Sequence, residues 1–172
     1  MEYVRIPQRR IGVLIGSDGA TRKEFEEATG CTLEIDSRTG IVHVTIPEGG
    51  DALLGLQLLS VVRAIGRGFS PETARDLLDP ETYLIVVDIR DHTGHSRRKL
   101  ERMRGRVIGR GGRTRRIIEE QRGAQVAVQG RTVSILGSLA AIEAAQVSVG
   151  MLLGGAEHGS VYHYLEGHRR RR

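Results

Sequence analysis

The chain is poor in cysteine, aromatic residues and long apolar runs. It has one cysteine, no tryptophan and only 3% aromatic residues in 172 positions. A single cysteine excludes an intramolecular disulfide, and Cys31 is expected to be a small buried apolar residue. No run of about 18 uninterrupted apolar residues occurs, so no membrane-spanning helix is predicted. The first residues alternate like a strand and lack the apolar core of a signal peptide. Together these absences favour a cytoplasmic protein.

Lysine is almost absent too, although the chain is basic. Of its 26 basic residues only Lys23 and Lys99 are lysines, and the net charge is +5. Residues 1–80 carry 9 basic and 12 acidic side chains, whereas residues 81–172 carry 17 and 9. Residues 97–116 alone hold ten basic residues and one acid. An arginine-rich genome would explain the choice of arginine but not this clustering, which is typical of a surface that attracts a polyanion.

A repeated pattern is the main feature that is present. An apolar pair, a Gly-x-x-Gly segment and a charged helix pattern occur at residues 14–21 and again at 107–114. The same offset brings residues 21–35 onto 114–128, through a helix pattern, a glycine stop and an alternating strand. Two copies of this length predict paired domains rather than a solenoid.

Each copy predicts the order strand, helix, turn, helix, strand, strand, helix. We predict a first domain at residues 1–67, a helical connection at 68–80, a second domain at 81–153 and a basic tail at 154–172. In the first domain, Asp51 is expected to cap a long helix that buries one face, Leu53 and Leu56 included.

The tail contains His158, His163 and His168 and ends in four arginines. We expect it to be solvated and mobile at its end. The arginines are either a nonspecific phosphate anchor or a solubilising end. The histidines lack the supporting cysteines or carboxylates of a metal site, so no metal is predicted.

The Gly-x-x-Gly turn has the chemistry of a phosphate-binding loop. Glycine permits a tight turn and leaves no Cβ in the way of a phosphate. The helix that follows directs its free N–H groups and the positive end of its dipole at the same place. Each turn is therefore a candidate site for a nucleic-acid backbone.

The order of elements, with Gly-x-x-Gly between the first two helices, resembles the K-homology (KH) domain of the eukaryotic type. The resemblance implies an α+β fold with two type I KH domains, each a three-stranded sheet with helices packed on one face. It also implies a narrow cleft that holds about four nucleotides of single-stranded RNA.

A closer resemblance is to one tandem-KH family, the archaeal small-subunit ribosomal RNA maturation protein related to the eukaryotic partner of Nob. It is carried by YVRIP at 3–7, RIGVLIG at 10–16, EIDS at 34–37, GRGFSPE at 66–72 and RVIGRGG at 106–112. The resemblance implies binding near the 3′ end of the small-subunit RNA. It also implies contact with the endonuclease that trims that end and with the alpha subunit of translation initiation factor two.

The two turns differ in charge. The second presents Arg110 and Arg113, whereas the first presents Ser17 and Asp18. A carboxylate in the loop repels phosphate, and a screening length of about 8 Å does not remove that effect. We therefore predict that the second module is the main RNA-binding site and that the first binds weakly or contacts protein. The candidate RNA-binding residues lie in or beside the turns: Arg106, Val107, Ile108, Gly109, Arg110, Gly111, Gly112, Arg113, Arg115, Arg116 and Val126, with Gly16, Ser17, Asp18, Gly19, Arg22 and Lys23.

Few aromatic residues are available to stack on bases, which argues against a surface of the RRM kind. Bases are expected to lie on Val107, Ile108, Ile117 and Val126. Core packing is the competing interpretation of these four residues.

No pattern of an enzyme is present. Gly109–Gly111 begins a Gly-x-Gly-x-x-Gly motif, but Thr114 stands at its last glycine, and no Gly-Lys-Ser/Thr loop follows. We therefore expect no cofactor and no catalysis. We also expect the protein to be a monomer. The leading hypothesis is a single-stranded RNA-binding factor in ribosome maturation. The alternative is an adaptor whose modules mainly bind a protein partner.

Overall fold

The computed structural model describes residues 2–171, apart from the side chains of residues 121 and 122. The chain divides into two compact units between Thr82 and Tyr83. Within residues 2–171, each unit contains one three-stranded antiparallel sheet with helices packed on one face. The predicted α+β fold with two such modules is confirmed.

The first unit has its central strand buried between two edge strands. The strand order is β1-β3-β2, and the Val42 and Val44 side chains of β3 face the core. Cys31 is buried as predicted. The elements are β1 (Glu2–Arg5), α1 (Gln8–Ile15), α2 (Ala20–Thr29), β2 (Thr32–Asp36), β3 (Ile41–Thr45), α3 (Ala52–Gly66) and α4 (Pro71–Ala74), with 3₁₀ turns at Ser17–Gly19 and Arg75–Leu78.

The second unit repeats this arrangement with strand order β4-β6-β5. Val133 and Ile135 of the central strand are fully buried in its core. The elements are β4 (Tyr83–Asp88), α5 (Arg90–Thr93), α6 (Arg97–Ile108), α7 (Arg113–Arg122), β5 (Gln125–Gln129), β6 (Thr132–Gly137), α8 (Leu139–Leu153) and α9 (His158–Arg170), with a 3₁₀ turn at Arg110–Gly112.

Helix α3 is capped as predicted, but the face that it buries differs from the predicted face at the start of the helix. Asp51 accepts a hydrogen bond from the Leu53 amide at 2.8 Å. Leu53 and Leu56, however, are 53% and 55% exposed, so the predicted apolar face is wrong at its start. The buried stripe begins at Gly55, where a Cβ would lie 2.5 Å from Ile46. Because this glycine packs on Ile46, the two leucines turn away from the core.

The segment 68–80 is part of the first unit and not a separate connection. Phe69, Ala74 and Leu77 are all buried. Ser70 caps α4 by accepting a hydrogen bond from the Thr73 amide at 3.2 Å. The apolar side chains of this segment extend the core, which moves the boundary between the units to residue 82.

The predicted free tail is wrong for residues 158–170, which form α9. Val161 and Leu165 lie one turn apart and are fully buried in the core of the second unit. Their burial against α7 and α8 makes the helix part of the module. Of the terminal arginines, residues 169–171 are exposed and Arg172 lies outside the described residues. None of the described helices is long and apolar enough to span a membrane.

Candidate nucleic-acid interface

The two Gly-x-x-Gly turns share one backbone conformation. Gly16 ends α1 at φ 75° and ψ 178°, and Gly109 ends α6 at φ 73° and ψ 172°. A short 3₁₀ turn follows, and the next helix starts after a left-handed glycine, Gly19 at φ 77° or Gly112 at φ 78°. Because positive φ is costly for residues with a Cβ, the outer positions of both turns favour glycine.

The first glycine of each turn is also needed for packing. A Cβ at Gly16 would lie 2.7 Å from the Cβ of Thr21. A Cβ at Gly109 would lie 2.7 Å from both the Cβ and the backbone nitrogen of Thr114. Thr114 is only 2% exposed. This glycine therefore allows the two helices to meet, which is a role in the fold.

The later glycines face open space. A Cβ at Gly19, Gly111 or Gly112 would meet no atom of the described chain within 4 Å. The N–H of Arg113, the first of α7, donates to the carbonyl oxygen of Arg110. The N–H groups that follow it in the first turn have no acceptor within the helix and lie beside this opening. The turn of the second module thus offers donors and room for a phosphate group.

The third position of the turn differs between the modules. Asp18 has φ 53° and ψ 30°, and it is the only non-glycine residue among residues 2–171 with positive φ. Gly111 stands in the same place with φ 61° and ψ 23°. Aspartate tolerates this conformation better than most residues. The first turn therefore carries a carboxylate where the second is open.

The two cations at the start of α2 are already paired. Arg22 lies 3.2 Å from Glu26, and Lys23 lies 3.8 Å from Glu27, one helical turn further on. These pairs are exposed or half-exposed and each is weak. They still reduce the positive charge available to offset Asp18.

The cations at the second turn and at the start of α7 are not paired in this way. Arg110, Arg113, Arg115 and Arg116 are exposed, and among the described residues no acid lies within ion-pair distance of them. Arg110 lies within the turn, and the other three lie at the start of α7. Their field adds to that of the helix end, so this turn is the more attractive site for an anion.

Arg106, a predicted RNA-binding residue, makes hydrogen bonds within the fold. Its Nε donates to the carbonyl oxygen of Leu152 at 3.2 Å, and its Nη2 donates to that of Ala156. Arg10 does the same at the end of α3, with Nε and Nη2 each 2.8 Å from a carbonyl oxygen. Burial lowers the pKa of the Arg10 guanidinium, and Arg9 lowers it further. Each arginine binds one carbonyl oxygen in the last turn of a helix, of Ile65 or Leu152, and one in the segment after it, of Phe69 or Ala156.

The predicted apolar base contacts are partly wrong. Val107 is fully buried and Val126 is 3% exposed, and both belong to the core of the second unit. Their side chains face the sheet and helices because the alternation of β5 and the period of α6 direct them inward. Ile108 and Ile117 are half-buried and lie at the surface near the turn.

A groove next to the second turn brings in residues that the sequence did not single out. It has a volume of about 500 Å³ and lies between the end of α6, the start of α7 and α9. Its described lining residues are Arg102, Gly105, Arg106, Gly109, Arg110, Arg113, Thr114, His158 and Tyr162. The signal that points to α9 is the four-residue spacing of Val161 and Leu165.

Comparison with known proteins agrees with this geometry. Residues 83–170 match the eukaryotic-type KH domain (KH-domain type I), and residues 1–50 match the KH domain. The fold and the paired turns thus define a tandem KH-domain protein.

Similar proteins cover nearly the whole chain. A KH domain-containing protein of Methanocaldococcus jannaschii is 41% identical over 99% of this chain and 75% of its own length. The crystal structure of Dim2p from Pyrococcus horikoshii is 48% identical, with a TM-score of 0.90 over 99% of this chain and 98% of that one. In the a/eIF2alpha–aDim2p–rRNA complex of the same organism, the matched chain is 46% identical. Its TM-score is 0.94 over 99% of this chain and 94% of that chain. The chain belongs to this tandem-KH family, as the sequence motifs indicated.

Proposed function

We propose that the chain binds single-stranded RNA mainly through the Gly109–Gly112 turn, as a non-catalytic factor in 3′-end maturation of the small-subunit ribosomal RNA. The observation that carries this proposal is the open glycine turn, surrounded by arginines that no described acid neutralises. The factor acts in the cytoplasm as a monomer. The Dim2p relative in a complex with rRNA and a/eIF2alpha supports RNA and the alpha subunit as its partners.

In this mechanism the turn binds the backbone and not the bases. Phosphates approach Gly111 and Gly112, where no Cβ blocks them, and accept hydrogen bonds from amides in the first turn of α7 that follow Arg113. Arg110 and Arg113 add bidentate contacts to the phosphate oxygens. The bases then lie toward Ile108 and other half-buried apolar groups.

A salt titration tests this proposal. For single-stranded RNA, each phosphate neutralised contributes about −0.7 to the slope of log affinity against log salt. We expect Arg113→Gln to make the slope shallower by about this amount. Arg22→Gln is the control, because Arg22 also lies in the first turn of its helix, at the position equivalent to Arg115, but is paired with Glu26. The proposal is wrong if both substitutions change the slope equally.

A second candidate function is that of a protein adaptor. It is favoured by the first module, whose turn carries Asp18 and whose helix α3 exposes Leu53 and Leu56. By family resemblance, its partners would be the maturation endonuclease and the initiation factor alpha subunit. The adaptor predicts that Leu53→Ser with Leu56→Ser abolishes capture of the alpha subunit after RNase treatment, while Arg113→Gln leaves it unchanged. Loss of capture on RNase treatment of the parent protein contradicts it.

A further inference from the structure

The groove beside the second turn has the composition of a nucleotide site. We propose that it binds one nucleotide of the RNA that lies beyond those held on the Gly109–Gly112 turn. This proposal rests on the proposed function and adds to it a binding site for the nucleotide that follows those on the turn. What is new is that α9 contributes to RNA binding.

One side of the groove is suited to a phosphate. The side chains of Arg102, Arg110 and Arg113 line it, and none of its described lining residues is acidic. Arginine binds phosphate oxygens in a bidentate manner, which fixes the orientation of the group as well as its position. Arg106 lies at the same wall, but its guanidinium is held by backbone carbonyls.

The other side offers two rings, in a chain with few aromatic residues. His158 and Tyr162 lie one turn apart on α9, with ring centroids 6.3 Å apart and planes tilted by 55°. Aromatic side chains and histidine are the surfaces on which proteins stack unpaired RNA bases. The groove therefore combines a phosphate side with a base side.

These rings are held in place by the KH core. The Tyr162 hydroxyl lies 3.0 Å from the Thr114 hydroxyl, and His158 Nε2 lies 2.9 Å from the carbonyl oxygen of Arg106. The buried Val161 anchors the same helix. A surface that is already ordered loses less conformational entropy when it binds a base.

The size and continuity of the groove agree with a nucleotide of the same strand. Its volume of about 500 Å³ lies within the range of small-molecule sites. It includes Gly109 and Arg110 of the turn and Arg113 at the start of α7. A strand held on the turn therefore passes directly to the groove.

The test compares short and extended RNA on the whole 172-residue chain. A tetranucleotide from the 3′ region of the small-subunit rRNA reports the turn alone. Two heptanucleotides, extended at the 5′ or the 3′ end, also report the groove. Competition in fluorescence anisotropy gives their affinities. We expect one heptanucleotide to bind about tenfold more tightly than the tetranucleotide, since stacking of a base contributes this order of affinity.

Two substitutions probe the two sides of the groove. Arg102→Gln removes a charge, and His158→Gln removes a ring but keeps an N–H donor for the Arg106 carbonyl. Each is expected to remove most of the affinity that the heptanucleotide gains over the tetranucleotide. The affinity for the tetranucleotide is expected to stay within about twofold of that of the parent protein. Arg97→Gln is the control, because it removes the same charge from an exposed position of α6 outside the groove.

The outcomes separate this proposal from the proposed function. Equal losses for Arg102→Gln and Arg97→Gln, or equal losses on both RNA lengths, overturn the groove site. A Gly111→Asp protein with undiminished tetranucleotide affinity overturns the turn site instead. A further experiment titrates the protein with inorganic phosphate and with AMP and follows the NMR signals of the His158 and Tyr162 rings. Saturable binding of phosphate without any gain on RNA extension identifies a free-anion site and overturns the proposal.

Discussion

At the scale of single residues, the glycines of the second turn have two separate roles. Gly109 accommodates Thr114, so its missing side chain serves the packing of α6 against α7. Gly112 has the same positive φ but borders open space. The motif therefore contains one glycine that the fold requires and one that RNA binding requires. Substituting each of them by alanine distinguishes the two roles.

We expect Gly109→Ala to lower the free energy of unfolding more than Gly112→Ala. Gly112→Ala forces alanine into the left-handed helical region, at a cost of about 1–2 kcal/mol. Gly109→Ala places alanine at φ 73° and ψ 172°, a region found essentially only for glycine, at a cost of about 1–3 kcal/mol. Gly109→Ala adds overpacking against Thr114, typically about 1–3 kcal/mol. Gly112→Ala instead places a methyl group where the phosphate approaches, so it is expected to weaken RNA binding. Urea unfolding and RNA anisotropy on the same proteins measure both effects. Equal loss of stability in the two variants contradicts this division of roles.

The arginines also divide into structural and binding residues. Arg106→Ala removes charge-assisted hydrogen bonds to the carbonyl oxygens of Leu152, in the last turn of α8, and Ala156, after it, each worth about 1.5–3 kcal/mol. Arg113→Ala removes an exposed side chain and is expected to change stability by less than about 0.5 kcal/mol. Urea unfolding of the two variants distinguishes them. A stable Arg106→Ala protein would show that the capping contacts contribute little.

At the scale of elements, the local patterns were predictable and the tertiary contacts were not. Helices α2 and α7 each end at a glycine, Gly30 and Gly123, as the glycine stop in the repeated pattern predicted. The buried face at the start of α3 depends on Gly55 meeting Ile46, which lies on another segment. The periodicity of apolar residues within α3 gives no information about its contact with another segment.

The helix α9 was missed for a related reason. Its apolar stripe is only Val161 and Leu165, set among histidines, glycines and arginines. Such a segment resembles a solvated tail until the module supplies a surface for it. The groove, which needs α9 for one wall, could not be predicted without this docking. The turn itself could be predicted, because its glycines and cations are adjacent in sequence.

The burial of α9 gives a direct test at this scale. Leu165→Ala is expected to lower the free energy of unfolding by about 2–5 kcal/mol, as for other large-to-small changes in a core. The neighbouring Glu166→Ala, at an exposed position, is the control and is expected to have an effect below about 0.5 kcal/mol. Urea denaturation measures both. A Leu165→Ala protein as stable as the Glu166→Ala protein would mean that α9 does not belong to the folded module.

At the scale of the whole molecule, two copies of one module carry opposite charge at the same turn. The backbone angles of the turns agree within a few degrees at the flanking glycines. The difference lies in side chains: Asp18 and paired cations in one copy, Gly111 and exposed arginines in the other. The central claim is that this difference assigns RNA binding to the second module.

The most direct measurement exchanges the third residue of the two turns. Gly111→Asp gives the second turn the residue of the first, in a conformation that Asp18 already adopts. RNA affinity of the full chain, measured by fluorescence anisotropy at fixed salt, is expected to fall at least about tenfold, or about 1.4 kcal/mol. Asp18→Gly is expected to change affinity by less than about threefold. If Gly111→Asp binds as tightly as the parent protein, or if Asp18→Gly has the larger effect, the second turn is not the main RNA-binding site.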